Sequence, residues 1–168
     1  MTQMALPYTR GCFVCGRDND LGLQLRFSFD AETGEVSSQF MPTVAHIGFA
    51  GVVHGGVVST VLDEGMTWAV SASAKRFFFA VEISVRFRLP IAPDIALTVC
   101  AQMTQDRRRV LEATSSLLDP DGQVHASAIG KYMPIPSHRY EELLSDFVAD
   151  ENTIDPKVFM GGGNSTLE

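Results

Sequence analysis

Cysteine is scarce in this chain, three in 168 residues, and one of the three falls mid-strand by its pattern, so no disulfide framework holds the fold together. A reducing, cytoplasmic setting is the expectation. Basic residues are also in the minority. Lys and Arg number 13 against 20 Asp and Glu, a net charge of −7, which excludes the broad basic surface of a general nucleic-acid binder. A few local arginines can still bind phosphates on an acidic protein. No uncharged apolar run reaches the roughly eighteen residues that a membrane span needs, so no membrane partner is expected. The opening MTQMALPYTRG has neither the basic start nor the apolar run of a secretory signal. Internal repeats and low-complexity blocks are missing too. What is present, 45% hydrophobic and 20% charged residues, suits one globular domain with a real core.

Periodicity organises the rest. Residues 1–20 look irregular, with Pro7, Gly11, Gly16 and an Asp-Asn-Asp cluster. LGLQLRFSF then alternates, with Leu21, Leu23, Leu25, Phe27 and Phe29 on one face, and EVSSQF returns as a second strand after the turn DAETG. From Gly55 the period becomes helical: Val57, Val61, Gly65, Ala69 and Ala72 recur with Val58, Leu62 and Met66 beside them. This apolar arc is too wide for a surface helix, so something must wrap it. After Lys75 and Arg76, which favour the helix dipole by position, four strands follow: AVEISVRFRL, IALTVCAQMTQ, VLEATSSLL and QVHASAIGKYM. Their short connections predict an antiparallel meander. Ser137 is placed to cap a short helix presenting Tyr140, Leu143, Leu144, Phe147 and Val148 on one face, before an acidic tail. The expectation is an α+β domain over residues 20–134, an antiparallel curved sheet wrapped round one long central helix, between an irregular segment at 1–20 and a short helix and tail at 135–168.

The stretch VVHGGVVSTVLDEGM resembles the signature of the phenylacetyl-CoA-type acyl-CoA thioesterases of the hotdog fold: His-Gly-Gly followed by an acidic residue. Here His54, Gly55 and Gly56 lead to Asp63, nine residues after the histidine. The resemblance continues through VEISVRFRLPI and AQMTQDRRRV to ASAIGKYM. CFVCGRDNDLGLQLRF looks like the opening of a CxxC-bearing branch. One position departs: several members carry Asn or Gln six residues before the histidine, where it helps hold the attacking water, and this chain has Gly48. The resemblance implies hydrolysis of an acyl- or aryl-CoA thioester, with coenzyme A present only as part of the substrate and no separate cofactor. It also implies an active site built across a homodimer, with pairing into a dimer of dimers as the expected assembly.

The residues themselves suit that chemistry. Free N–H groups and the positive end of the dipole at a helix start can hold an oxyanion, and Gly55 and Gly56 let a substrate approach closely. Asp63 is the candidate base toward water, or a nucleophile forming a mixed anhydride. The plain alternative puts Asp63 and Glu64 on a solvated stripe with Ser59, Thr60 and Thr67. Glu64 lies about 100° round the helix from Asp63, and a structural role, such as an ion pair, is expected for it. His54 can donate to the thioester or merely orient its loop. Arg107, Arg108 and Arg109, at a hairpin turn, are candidates to grip coenzyme A phosphates, the alternative being a solvated turn. Cys12-Phe13-Val14-Cys15-Gly16 is half a zinc knuckle. Without a second CxxC a metal site would need His46, His125, His138 or a partner chain, so a reduced structural turn is expected and no metal. Phe77, Phe78 and Phe79 read as core with a possible share in an acyl pocket. Two rivals stand beside hydrolysis. Hydration of an enoyl thioester lacks its Asp/His signature here; an acyl-CoA-binding hotdog protein without turnover is the non-enzymatic alternative.

Overall fold

A computed structural model of the chain describes residues 3–148 and 150–163. Strands β1 (Gln3–Ala5), β2 (Ser28–Asp30) and β3 (Glu35–Phe40) precede a small hairpin of β4 (Ile47–Phe49) and β5 (Val52–Val53). Helix α1 (Gly55–Ala74) follows, then β6 (Phe78–Phe87), β7 (Leu97–Asp106), β8 (Leu111–Leu118) and β9 (Val124–Pro134), and the short α2 (Tyr140–Asp146). Seven strands form one antiparallel sheet in the order β1-β2-β3-β7-β8-β9-β6, and β4-β5 make a separate ribbon.

The sheet curls round α1. In β8 every second residue, Leu111, Ala113, Ser115 and Leu117, is buried beneath the helix. Small residues at Gly65, Ala101 and Ala113 let the helix lie close to the sheet. His54 caps α1 by accepting from Gly56 N–H on Nδ1 at 2.9 Å, and Lys75 closes it in the left-handed conformation at φ 52°. Lys75 thus serves as a C-cap, beyond the dipole role read from its position.

Four expectations change. The alternating run at 21–29 forms ladder only at Ser28–Asp30. Gln24 takes φ 51°, which breaks the extended backbone, and Leu23 and Leu25 N–H donate instead to Phe13 and Val14 carbonyls. The buried side of that run is nonetheless Leu25 and Phe27. The irregular opening contains β1, which pairs with β2. The last four strands are not a simple meander: β6 lies beside β9 at the sheet edge, so the segment holding Pro90 and Pro93 crosses to β7 on the far side of β8 and β9. Ser137 starts a 3-10 turn at Ser137–Arg139 whose N-cap is Pro136, with no side-chain cap.

The broad apolar arc of α1 is covered largely within the chain. Leu6 and Val14 join its core from the N-terminal side. From the C-terminal side, Phe147 and Phe159 lie against Trp68 at ring separations of 6.3 and 5.9 Å. One uncovered apolar surface among the described residues is at β6. Ile83, Val85 and Phe87 stand opposite Gly130, Ala128 and Ala126 on the helix side of the sheet, yet Ile83 and Phe87 are 38% and 56% exposed. The outer edge of this ten-residue strand pairs with nothing among the described residues.

Candidate functional site

At the start of α1 the backbone runs from β5 through His54 into Gly55. His54 N–H donates to the His46 carbonyl at 2.8 Å, and its own carbonyl accepts from Val57 N–H. Because Nδ1 accepts from Gly56 N–H, the neutral ring carries its proton on Nε2, pointing that donor away from the backbone. The same bond occupies Gly56 N–H. Among the described residues Gly55 N–H has no protein acceptor, so of the two glycines expected to hold an oxyanion, Gly55 is the free donor and Gly56 fixes the imidazole. A cavity of about 320 Å³, lined by Val52, Val53, Gly55, Val58, Phe87 and Leu89 among others, opens beside this helix start.

Gly48 lies against that histidine. A Cβ built at position 48 falls 2.8 Å from His54 Cδ2 and 3.0 Å from its Cα and Cβ. An Asn or Gln there would displace His54, so the departure from the family pattern is matched by a local packing that leaves no room for a side chain.

Asp63 sits two turns further along α1, half-buried, and is held by a residue that no sequence motif named. Tyr132 O–H donates to Asp63 Oδ1 at 2.9 Å. The tyrosine is fully buried, and its ring folds back over Gly130, where a Cβ would come 2.6 Å from Cε2. Burial raises the Asp63 carboxyl above its usual range, opposed by hydrogen bonds from Tyr132 and Thr67. Burial, then the neighbouring Asp63 charge, raises the Tyr132 phenol, keeping it a donor at neutral pH. A signal for this partner exists in AIGKYM: a tyrosine on the inward face of a strand needs an acceptor, and a glycine two residues before it clears the path.

Within one chain Asp63 and the helix start are far apart. Eight residues along α1 separate Asp63 from Gly55, about 12 Å at 1.5 Å per residue. The arginine turn lies nearer Asp63's end of the sheet: Asp106 pairs with Leu111, which pairs with Tyr132. Arg107 is engaged, donating to Gln105 Oε1 at 2.6 and 2.8 Å and lying 3.8 Å from Glu112. Arg108 and Arg109 are exposed, and their guanidinium groups have no acceptor among the described residues.

Glu64 departs from its expected ion-pair role. No cation lies near it among the described residues. Trp68 Nε1 donates to Glu64 Oε1 at 3.1 Å, and Cys12 Sγ lies 3.9 Å from the same oxygen. Burial, then the charge of Cys12, pushes the Glu64 carboxyl up to about 8. The Cys12 thiol is lowered, first by the hydrogen bond from Cys15 and further by backbone N–H groups of Cys15, Val14 and Gly16. The Cys15 thiol is raised, by its bond to Cys12, by burial and by Glu64. These three groups stand at one side of a cavity of about 620 Å³ that also meets Thr67, Trp68, Phe77, Phe78 and Phe79. Phe77 and Phe78 are buried and Phe79 is 46% exposed, so the aromatic run is both core and cavity wall. The histidines considered for the CxxC are elsewhere: His46 accepts from Thr43 N–H, His125 bridges Asp119 and the Pro90 carbonyl, and His138 is exposed in the 3-10 turn.

Comparison with known proteins bears on this geometry. The profile of the thioesterase superfamily matches residues 50–126, which span α1 and the sheet through most of its long strands. A crystal structure described as a thioesterase superfamily protein is 24% identical, with a TM-score of 0.68 over 74% of this chain and 63% of its own; the chain therefore spans less than two thirds of that relative. A putative thioesterase of Ralstonia eutropha, described as phenylacetic acid degradation-related, is 24% identical with a TM-score of 0.60, covering 66% of this chain and 85% of its own. A Streptococcus mutans protein, solved bound to acetyl CoA, is 19% identical with a TM-score of 0.59, covering 65% and 88%. Comparison with curated proteins finds no match.

Proposed function

From a hotdog fold whose residues 50–126 match the thioesterase superfamily, we infer that this chain hydrolyses an acyl- or aryl-CoA thioester to the free acid and coenzyme A. The observation that carries the reading is Asp63. It is a half-buried carboxylate nine residues after a His-Gly-Gly helix start, held on one oxygen by a buried tyrosine and raised above its usual range by burial.

The chemistry follows from the two halves of the site. The thioester carbonyl oxygen sits at the start of α1, where Gly55 N–H donates to it and the helix dipole favours the developing charge. His54 Nε2–H supplies a second donor, its ring held by Gly56 N–H. Asp63 takes a proton from water, and the water oxygen attacks the carbonyl carbon. Collapse of the tetrahedral intermediate breaks the carbon–sulfur bond and releases the coenzyme A thiolate. Tyr132 holds Asp63 through Oδ1 and so orients the carboxylate for taking a proton from water. Because about 12 Å of helix separates Asp63 from Gly55 in one chain, the Asp63 that serves each helix start comes from a second copy. The free edge of β6 and the exposed Ile83 and Phe87 support that pairing. Arg108 and Arg109, whose guanidinium groups are unengaged, suit the coenzyme A phosphates. The acetyl-CoA complex of the Streptococcus mutans neighbour supports a coenzyme A ester as the ligand class for this fold.

Thiol release from a panel of straight-chain acyl, aryl and hydroxyaryl thioesters of coenzyme A tests the reading. Turnover of at least one class above the buffer rate is expected. Tight binding of a thioester with no release of thiol would replace hydrolysis with a binding role. Gly48 against His54, where the relatives' water-holding side chain does not fit, is the observation that favours this second reading.

A further inference from the structure

The Cys12–Cys15 turn is built as a metal knuckle. Val14 and Cys15 N–H both donate to Cys12 Sγ, at 3.3 and 3.4 Å, and Gly16 N–H donates to the Cys12 carbonyl at 3.0 Å. Only glycine fits next: a Cβ at position 16 would lie 2.5–2.6 Å from the carbonyl oxygens of Cys12 and Arg10. Backbone donors aimed at one sulfur from a tight turn that ends in glycine stabilise a thiolate and set the second cysteine beside it. Helix α1 brings Glu64 to the same place, and the two sulfurs and a carboxylate oxygen all lie within 4.8 Å of one another.

We propose that Cys12, Cys15 and Glu64 bind one Zn²⁺, with water in the fourth position facing the cavity, and that the ion fastens the N-terminal turn to α1. Tetrahedral bond lengths of 2.3 Å to sulfur and 2.0 Å to oxygen require S···S of about 3.8 Å and S···O of about 3.5 Å. Cys12 Sγ to Glu64 Oε1 is already 3.9 Å, so a small side-chain adjustment closes the site. Charge argues the same way. A carboxylate turned toward two thiols, with no cation near it among the described residues, is costly unless it is neutralised or coordinates a metal. Trp68 Nε1 donates to Glu64 Oε1 and orients the carboxylate as an outer partner does in known metal sites. Two thiolates favour zinc over magnesium or calcium, which take oxygen ligands.

The test uses the full chain, reduced, stripped with a chelator and titrated with Co²⁺ and then Zn²⁺. One Co²⁺ per chain is expected, giving an intense sulfur-to-cobalt charge-transfer band in the near ultraviolet and the visible bands of a tetrahedral ion, all abolished by one equivalent of Zn²⁺. Cys12→Ser and Cys15→Ser should each weaken binding by about 100-fold or more, the size expected for loss of a ligand rather than of an outer partner. Glu64→Gln keeps the Trp68 contact and the shape of the neutral acid, so it folds even if the serine variants do not. It should retain the charge-transfer band with affinity lowered at least about tenfold. Cobalt bound without a charge-transfer band, or with equal affinity in wild type and Glu64→Gln, would overturn the site. A reduced wild-type chain that takes up no metal would do the same, as would one that forms a Cys12–Cys15 disulfide in air even with Zn²⁺ in excess. All these readings are independent of thioester turnover, so the outcome neither rescues nor refutes the proposed hydrolysis.

Discussion

Tyr132 holds the carboxylate on which the proposed chemistry turns, and its effect has a sign. Its hydroxyl donates to Asp63 Oδ1 and so favours the ionised form, opposing the burial that raises the carboxyl. Removing the donor in Tyr132→Phe therefore raises the Asp63 pKa further. A general base must be deprotonated to act, so the acidic limb of the kcat/KM profile should move to higher pH, with kcat lowered about tenfold as the carboxylate loses its orientation. A pH–rate profile checks this, and an unmoved limb would make Tyr132 a packing residue only. Asp63 was a candidate from the sequence because the motif that carries the resemblance, from His54 to Asp63, lies within one local stretch. Tyr132 was not, because its partner lies 69 residues away, and strand alternation gives the face of a side chain without what it meets across the core. The Cys12 contact of Glu64 escaped for the same reason: helical geometry gave its direction away from Asp63, and only the fold placed Cys12 beside it.

Among the elements, the β7–β8 hairpin carries the densest local positive charge. Arg107 is paired with Gln105 and near Glu112, leaving Arg108 and Arg109 as the better candidates for the proposed phosphate contact. Replacing all three with alanine should raise KM several-fold, lower kcat less, and flatten the dependence of KM on salt. An unchanged KM would move the phosphates elsewhere, with Lys75 and Arg76 at the end of α1 the next place. The long strands and α1 were legible because their periods run over eight to twenty residues. The short ladder at Ser28–Asp30 was not, since alternation in LGLQLRFSF reports burial and carries no sign of the backbone break at Gln24. Sheet order escaped as well: Pro90 and Pro93 mark a break, but nothing local says that the chain then crosses the sheet.

At the scale of the whole molecule, the surface that supports the proposed second copy is β6. The wide apolar arc of α1 called for a cover from the sequence, and beside the sheet the terminal segments supply much of it through Leu6, Val14, Phe147 and Phe159. A ten-residue edge strand with exposed Phe79, Val81, Ile83 and Phe87 is a template for pairing that a lone chain would leave open. Solution scattering at micromolar concentration should give a dimer or a pair of dimers. Ile83→Lys should split it and abolish turnover although Asp63 and His54 remain in every chain. A stable wild-type monomer would remove the shared site, because one chain alone does not bring Asp63 to Gly55.

The central claim is that Asp63 activates the water that cleaves the thioester. Its most direct test is the steady-state thiol release of Asp63→Asn against wild type on the best thioester substrate, with assembly and melting checked to be unchanged. The amide keeps the shape and can still accept from Tyr132, so only the base is lost. A fall in kcat of about 10²-fold or more with KM nearly constant is the predicted result. A kcat within about twofold of wild type, well short of what loss of a general base costs, would contradict the account.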